Sequence, residues 1–371
     1  MREILRDLAR WQKQGKRVAL ARVVDVEGSG PRLPGAAMAV NEDGEVAGSV
    51  SGGCVEGAVV TEALALLHGE QTGRICTFGY SDDDAFAVGL TCGGTIHLFL
   101  EELDWWDRFD AVRTAITDEA PVAMATVING PDAGKAVVLP AGTGTLGDAD
   151  LDRVVARDAL GDLDAGTSGV RHYGPHGEAR QDEVSVFVET YAPPPRMFIF
   201  GAVDFTAALV RVAKVLGYRV TVCDAREVFA TKARFPLADE VVVDWPHRLL
   251  ERVGPTLGPR DAVCVLTHDH KFDVPAIKAA LATDVGYLGA MGSRRTSDER
   301  SARLRDEGLT DAELLRVHGP IGLDLGARTP EETAVSICAE IIGHRTGATV
   351  PSLRDADGPI HAATGTQTLR D

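Results

Sequence analysis

Met197-Phe198-Ile199-Phe200-Gly201-Ala202-Val203-Asp204 runs from four apolar residues into a glycine and on into an amphipathic stretch. That is the pattern of a short buried strand turning tightly into a helix. The next apolar run, 219 to 223, ends at Asp224, 224 − 201 = 23 positions after the glycine. The first glycine and the ribose-binding acid of a Rossmann unit stand at this spacing. Further strands are expected over 240–244, 262–267 and 285–290, with helices over 204–216, 272–283, 294–307 and 330–345. Short all-apolar strands alternating with amphipathic helices predict a doubly wound parallel sheet covered on both faces.

Upstream, Tyr191-Ala192-Pro193-Pro194-Pro195-Arg196 cannot continue a helix or a central strand and reads as a stiff connector. It separates an N-terminal domain, 1–193, from the Rossmann-like domain, 196–347. Residues 348–371, rich in Pro, Gly, Thr and Asp, read as a loosely ordered tail. The N-terminal domain carries a worn duplication. Val18-Ala19-Leu20-Ala21-Arg22-Val23-Val24 matches Val122-Ala123-Met124-Ala125-Thr126-Val127-Ile128, 122 − 18 = 104 positions on. Each run leads to a Gly-Pro loop, a second strand, a Gly-rich turn, a helix and an alternating closing strand, 95–100 and 184–188. The expected fold is α/β: a mixed α+β N-terminal domain with an internal duplication, then a Rossmann-like doubly wound parallel sheet. Only the first half carries cysteine–glycine loops, so the second reads as scaffold.

The chain has 371 residues and a formal charge of 38 − 55 = −17. Such a body repels phosphate backbones at long range, so a nucleic-acid partner is not expected. No stretch approaches the roughly 18 uncharged apolar residues of a membrane span. The opening Met1-Arg2-Glu3-Ile4-Leu5-Arg6-Asp7 interleaves charges with apolar residues, unlike a secretory signal. Six cysteines, none in C-x-x-C spacing, give neither a disulfide framework nor a zinc ribbon, and a cytoplasmic location is expected. Cys223, Cys264 and Cys338 sit in apolar runs and read as core. Cys54 and Cys92 each adjoin a pair of glycines.

Those glycines hold the chemical information. Ser51-Gly52-Gly53-Cys54 precedes a run with helical apolar spacing, so it lies at a helix N-terminus. Free N–H groups there would hold an oxyanion or phosphate and favour a Cys54 thiolate. The plainer reading is a tight turn with a small packed cysteine. Thr91-Cys92-Gly93-Gly94 and Gly28-Ser29-Gly30-Pro31-Arg32 add a second thiol and a cation in the same domain.

These segments, with Gly35-Ala36-Ala37-Met38 and Gly52-Gly53-Cys54-Val55-Glu56, resemble the N-terminal signature of the XdhC/CoxI family. In the second domain Arg234-Phe235-Pro236-Leu237-Ala238-Asp239, Leu266-Thr267-His268-Asp269, Gly289-Ala290-Met291-Gly292-Ser293-Arg294-Arg295 and Pro320-Ile321-Gly322-Leu323-Asp324 resemble the family in the same order. The resemblance implies a maturation factor for molybdenum hydroxylases such as xanthine dehydrogenase and carbon monoxide dehydrogenase. Such a factor binds the molybdenum cofactor, a pterin dithiolene with a phosphate, and delivers it to an apo-hydroxylase. A separate cysteine desulfurase assists sulfuration, and a homodimer is expected. Candidate cofactor-binding residues are then Arg32, Ser51, Gly52, Gly53, Cys54, Glu56, Cys92, Gly93 and Gly94. Cys54 and Cys92 are soft thiols of the type that contacts molybdenum.

The family motif after the first Rossmann strand is Gly-Ala-Gly-His, and here it is Gly201-Ala202-Val203-Asp204. Val203 puts methyl groups where a pyrophosphate approaches the backbone, and Asp204 adds like charge. A loop kept for shape with its NAD(P) grip lost is the expectation, although Gly201 and Asp224 remain candidates. An NAD(P)-dependent oxidoreductase and a non-catalytic interaction protein are the competing classes. Gly292-Ser293-Arg294 offers a second phosphate cradle at a helix start, against the plainer reading of a cap with surface arginines. His268, Asp269, His270 and Asp273 read as a helix-capping Asp with solvated His, or as a metal site. Thr329-Pro330-Glu331-Glu332 reads as a capping box. Trp105-Trp106 reads as core or partner contact.

Overall fold

Val18, Leu20, Arg22 and Val24 point one way from their strand, and Ala19, Ala21 and Val23 the other, yet all seven are buried. An antiparallel strand covered on both faces explains why the run lacks clean apolar–polar alternation. The computed structural model describes residues 1–28, 30, 32–69, 73–79, 94–352 and 354. Most of the expected tail, 353 and 355–371, lies outside the described residues. The chain falls into two units, Met1–Pro193 and Pro194–Pro351.

The first unit opens with α1 (Leu5–Lys13), β1 (Val18–Glu27), β2 (Ala37–Asn41), β3 (Val46–Gly48), α2 (Glu56–His68), β4 (Arg74–Phe78) and β5 (Thr95–Glu102). After α3 (Trp106–Thr117) come β6 (Val122–Val127), β7 (Ala136–Leu139), β8 (Thr143–Gly144), α4 (Ala149–Ala165), β9 (Gly169–Tyr173) and β10 (Val184–Tyr191). The two sheets have the orders β3-β2-β1-β5-β4 and β8-β7-β6-β10-β9, the same path drawn twice. Register repeats as well. Arg22 lies opposite Phe99 and Ala37 in the first sheet, and Thr126 lies opposite Phe187 and Ala136 in the second. The duplication read from two short apolar runs is therefore a duplication of the whole five-stranded unit.

The sheets pack face to face. Leu20, Ala37, Met124 and Ala136 share one inner cluster, and Val24, Phe99, Ile128 and Phe187 another. On the outer faces α2 covers Ala19, Ala21 and Leu98, while α4 covers Ala123, Ala125 and Val186. Leu8 and Trp11 of α1 and Phe109 and Val112 of α3 join the inner cluster. Trp105 belongs to it too, 5% exposed, which settles that residue of the Trp105-Trp106 pair as core.

A charged group sits inside the sandwich. The Arg22 guanidinium, fully buried, donates to Glu101, to Glu189 and to the hydroxyl of Thr126, its counterpart in the other repeat. Tyr191 donates to the second Glu189 oxygen at 2.8 Å. Phe99, Phe187 and Trp105 surround the guanidinium at 5.6–6.0 Å from ring centre to Cζ. Burial pushes the Glu101 carboxyl up to about 7, with Arg22 pulling the other way. One cation between two buried carboxylates is then close to neutral when Glu101 holds its proton.

The second unit is a six-stranded parallel sheet. Its elements are β11 (Arg196–Phe200), α5 (Asp204–Val215), β12 (Arg219–Asp224), β13 (Glu240–Val243), α6 (Pro246–Val253), β14 (Ala262–Val265) and α7 (His270–Leu281). Then follow β15 (Tyr287–Ala290), α8 (Arg294–Asp306), α9 (Asp311–Leu314), β16 (Val317–His318) and α10 (Pro330–Thr346). Met197 and Ile199 face α5 and α10, and Phe198 and Phe200 face α6, α7 and α8. The order β13-β12-β11-β14-β15-β16 reverses direction at β11, so the crevice between β11 and β14 is the switch point where such sheets take ligands. Helix α6 is an addition to the elements that the sequence predicts. Cys223, Cys264 and Cys338 are buried as expected.

Candidate functional site

Helix α2 begins behind a loop whose donors are already used. Glu56 accepts from Ser49 Oγ (2.6 Å), Ser51 Oγ (2.5 Å) and the N–H groups of Val50 (3.2 Å), Ser51 (2.9 Å) and Gly53 (2.8 Å). Ser51 Oγ accepts from Cys54 N and Val55 N, both at 3.0 Å, and Ser49 Oγ from Gly52 N at 2.9 Å. Partial burial would raise the Glu56 carboxyl, but the serine and backbone donors outweigh it and hold it at about 2. The expectation that Ser51–Cys54 N–H groups stand open for a phosphate is therefore corrected. Each of them serves an internal acceptor, and a carboxylate fills the place of the anion.

The second repeat contains the same device. Thr145 Oγ1 donates to Asp152 at 2.7 Å, Leu146 N donates to Asp152 at 2.7 Å, and Gly147 N donates to Thr145 Oγ1. Ser49 and Thr145, Val50 and Leu146, and Glu56 and Asp152 correspond at one offset, 152 − 56 = 96. Gly48 and Gly144 begin the two loops at the same offset. Both have positive φ, and a Cβ on either would press into a backbone oxygen, of Ala37 or of Ala136. The hydroxyl–carboxylate clamp thus belongs to the fold. What the first repeat adds is Gly52-Gly53-Cys54, where the second has Asp148-Ala149-Asp150 and caps α4 with Asp148. Gly52 and Gly53 are exposed, and Cys54 is half-buried against the cluster holding Val26, Ala36 and Val50.

The other N-terminal candidates separate from this loop. Arg32 pairs with Glu3 at 2.5 Å and lines a cavity of about 460 Å³ with Gly35, Ser168, Glu189 and Tyr191. No residue of the Ser51–Cys54 loop lines that cavity. Gly94 packs beside Gly28 next to the first sheet. Cys92 and Gly93 lie outside the described residues.

In the parallel-sheet unit, Gly201 has φ +113°, and a Cβ there would meet Thr267 at 2.9–3.0 Å, so this glycine serves strand packing. Asp224 is 2% exposed and accepts from Ala202 N, Arg226 N and the Arg226 guanidinium. Both oxygens are occupied where a ribose would bind. Burial raises this carboxyl, and the Arg226 and backbone bonds outweigh it to leave it lowered. The Asp204 side chain is 91% exposed with Arg234 3.8 Å away. Across the switch point, a cavity of about 530 Å³ is lined by Phe205, His268, His270, Met291, Gly292 and Ser293, and by Arg300 and Arg303 of α8. Ser293 caps α8 by accepting from Thr296 N. Arg294 is exposed and is not among the lining residues. The cations at the cavity are instead Arg300 and Arg303, and the signal for them is that 293, 296, 300 and 303 fall on one helical face. Asp269 caps α7, and Thr329 with Glu332 forms the capping box at α10. Among the described residues no cluster of three or more His, Cys, Asp or Glu is arranged to hold a metal ion.

Two family models match the chain: the XdhC and CoxI family over residues 11–79 and the XdhC Rossmann domain over 197–341. A Bacillus subtilis (strain 168) protein, named as a probable subunit of xanthine dehydrogenase, is 30% identical over 334 residues, spanning 88% of this chain and 92% of its own. The chain belongs to the XdhC/CoxI family. The Escherichia coli (strain K12) molybdenum cofactor insertion chaperone PaoD is 28% identical over 345 residues, 93% of this chain and 88% of that one. A Bacillus halodurans crystal structure described as a xanthine dehydrogenase superposes with a TM-score of 0.62 at 27% identity, covering 92% of this chain and 95% of that one. In this XdhC/CoxI chain the first matched span contains the Gly-Gly-Cys loop, and the second contains the switch-point cavity. Among the described residues no helix is long and apolar enough to cross a membrane.

Proposed function

We propose that this chain binds the molybdenum cofactor as cargo, protects it and passes it to an apo molybdenum hydroxylase of the xanthine dehydrogenase type. The observation that carries the reading is the contrast between the repeats. A shared clamp supports an exposed Gly-Gly-Cys turn in one copy and a plain capped helix in the other. In the proposal Cys54 offers a soft sulfur at the metal end of the cargo, with Cys92 as a second candidate. Gly52 and Gly53, without side chains, leave space for a bulky dithiolene to approach. The positive φ of both, +76° and +119°, suits glycine. Glu56 acts on this turn by fixing its backbone rather than by touching the cargo. Arg32 is proposed to act at its own cavity, apart from the turn.

Sulfuration by a cysteine desulfurase, service to a carbon monoxide dehydrogenase type of client, a homodimeric state and a cytoplasmic location extend the same reading. The resemblance to the family and the name of the PaoD relative support it. Dehydrogenase activity is disfavoured by the saturated Asp224 and by Asp204 in the first loop. The test is direct. Protein produced in cells making the cofactor is denatured and oxidised, and its fluorescent pterin is counted. The wild type is expected to carry pterin, and Cys54→Ala to lose most of it with its melting temperature unchanged. A wild type without pterin overturns the proposal.

A further inference from the structure

We infer that the switch-point cavity of the second unit is a binding site for a small phosphate ester carrying a planar ring. Its phosphate end is built around Arg300. This residue is 4% exposed, and only its Nη2 is engaged, donating to Met291 O at 2.6 Å and to Asp273 at 3.2 Å. Among the described residues its Nε and Nη1 have no partner, although the side chain lines the cavity. A guanidinium held by one nitrogen with its other donors toward a cleft is a prepared anion contact. Arg303, one turn on, brings a second guanidinium to the same lining.

The helix start adds to this. Ser293 Oγ caps Thr296 N, while the N–H groups of Arg294 and Arg295 have no acceptor among the described residues. Gly292 lies between, and a Cβ there would close on Thr296 at 3.1 Å and on Arg300 at 3.4 Å, so the cradle needs that glycine. The acidic residues of the lining are turned to other work. Glu299 pairs with Arg295 at 2.9 Å, and Asp273 accepts from Thr267 and Arg300. His268 and His270 add donors on the β14 side. Phe205, Val274 and Met291 form an apolar wall, and about 530 Å³ exceeds the needs of inorganic phosphate and suits a nucleotide-sized ring compound. Val203 and Asp204 replace the glycine and add an acid in the usual pyrophosphate loop of this fold, which leaves the β15 turn as the better anion contact of the two. The inference concerns the second unit alone and stands apart from the cargo reading of Cys54.

Calorimetric titration of the full chain with AMP and with inorganic phosphate tests it. Saturable AMP binding is expected, at least tenfold tighter than phosphate. Arg303→Ala should weaken both about tenfold or more, a loss of about 1.4 kcal/mol per tenfold. Arg294→Ala, which removes the same charge from the same helix outside the cavity, should change affinity less than twofold. Absence of saturable heat from the wild type overturns the site. Equal losses from the two variants overturn it as well, since diffuse charge would then explain binding. Equal affinity for AMP and phosphate overturns the ring-bearing ligand.

Discussion

The two repeats of the N-terminal unit differ most where they are otherwise most alike. Glycine, hydroxyl and carboxylate recur at Gly48, Ser49 and Glu56 and at Gly144, Thr145 and Asp152, with the hydroxyl and the next N–H donating in both, while Glu56 accepts three further bonds from Ser51 and Gly53. Between them one copy has an ordinary capped helix start, and the other an exposed double-glycine turn ending in cysteine. Helix capping therefore does not require Gly52-Gly53-Cys54, because the second copy achieves it with Asp148. The comparison assigns the clamp to folding and leaves the turn for another role. A similar contrast divides Arg22 from Thr126. One repeat supplies the buried cation and the other only a hydroxyl to meet it, so the core between the two sheets carries one guanidinium at this position.

The largest test of this comparison strikes that centre. Arg22→Ala leaves Glu189 and Glu101 buried without a cation and is expected to cost about 3–5 kcal/mol in urea unfolding. A loss below about 1 kcal/mol would show that the network contributes little. Next come the clamps. Glu56→Gln disturbs five donors and should cost about 1–3 kcal/mol, and Asp152→Asn, which disturbs two, should cost less, so a larger loss at Glu56 would sharpen the comparison. A larger cost at Asp152 would break it.

Acid dependence separates the same groups. Glu56 is held at about 2, below its unfolded value, so its contribution is present above about 4.5 and lost as pH falls toward 2. Glu56→Gln should remove that part of the acid slope. Glu101 is raised to about 7, so its effect has the opposite sign: stability falls as pH rises from about 4.5 to 7. Glu101→Gln should flatten that window in unfolding curves taken at several pH values. Smallest is Cys54→Ala, expected to move stability by less than about 1 kcal/mol, since the side chain is small and half-buried.

Much of this architecture is legible in the residues themselves. The parallel sheet shows because strands buried on both faces read as unbroken apolar runs, as in 197–200 and 262–265. Pro246 at a helix start conceals α6, since proline reads as punctuation. The duplication shows in Val18-Ala19-Leu20-Ala21 and Val122-Ala123-Met124-Ala125, but its inner face does not. Arg22 in such a run suggests a solvent-facing position, and only the second sheet packed on it makes that face interior. Glu101 resembles the polar end of a strand. The clamp escapes because its partners lie five to seven residues apart in a glycine-rich loop, where helix and strand periodicities say nothing. A hydroxyl seven residues before a carboxylate in each repeat, Ser49…Glu56 and Thr145…Asp152, is the signal that exposes it. Arg300 and Arg303 are hidden behind Arg294, because the glycine beside Ser293 draws attention to the helix start and away from its inner face.

The central claim is that the double-glycine cysteine turn, and not the clamp beneath it, grips the cargo. The exchange that removes the sulfur while leaving the positive-φ glycines and the clamp in place is Cys54→Asp, the residue at the corresponding position of the scaffold repeat. Counting oxidised pterin released per chain from wild type and from this exchange is the most direct measurement. The account predicts pterin in the wild type and near-complete loss in a folded exchange variant with unchanged circular dichroism. Equal pterin in both would contradict it.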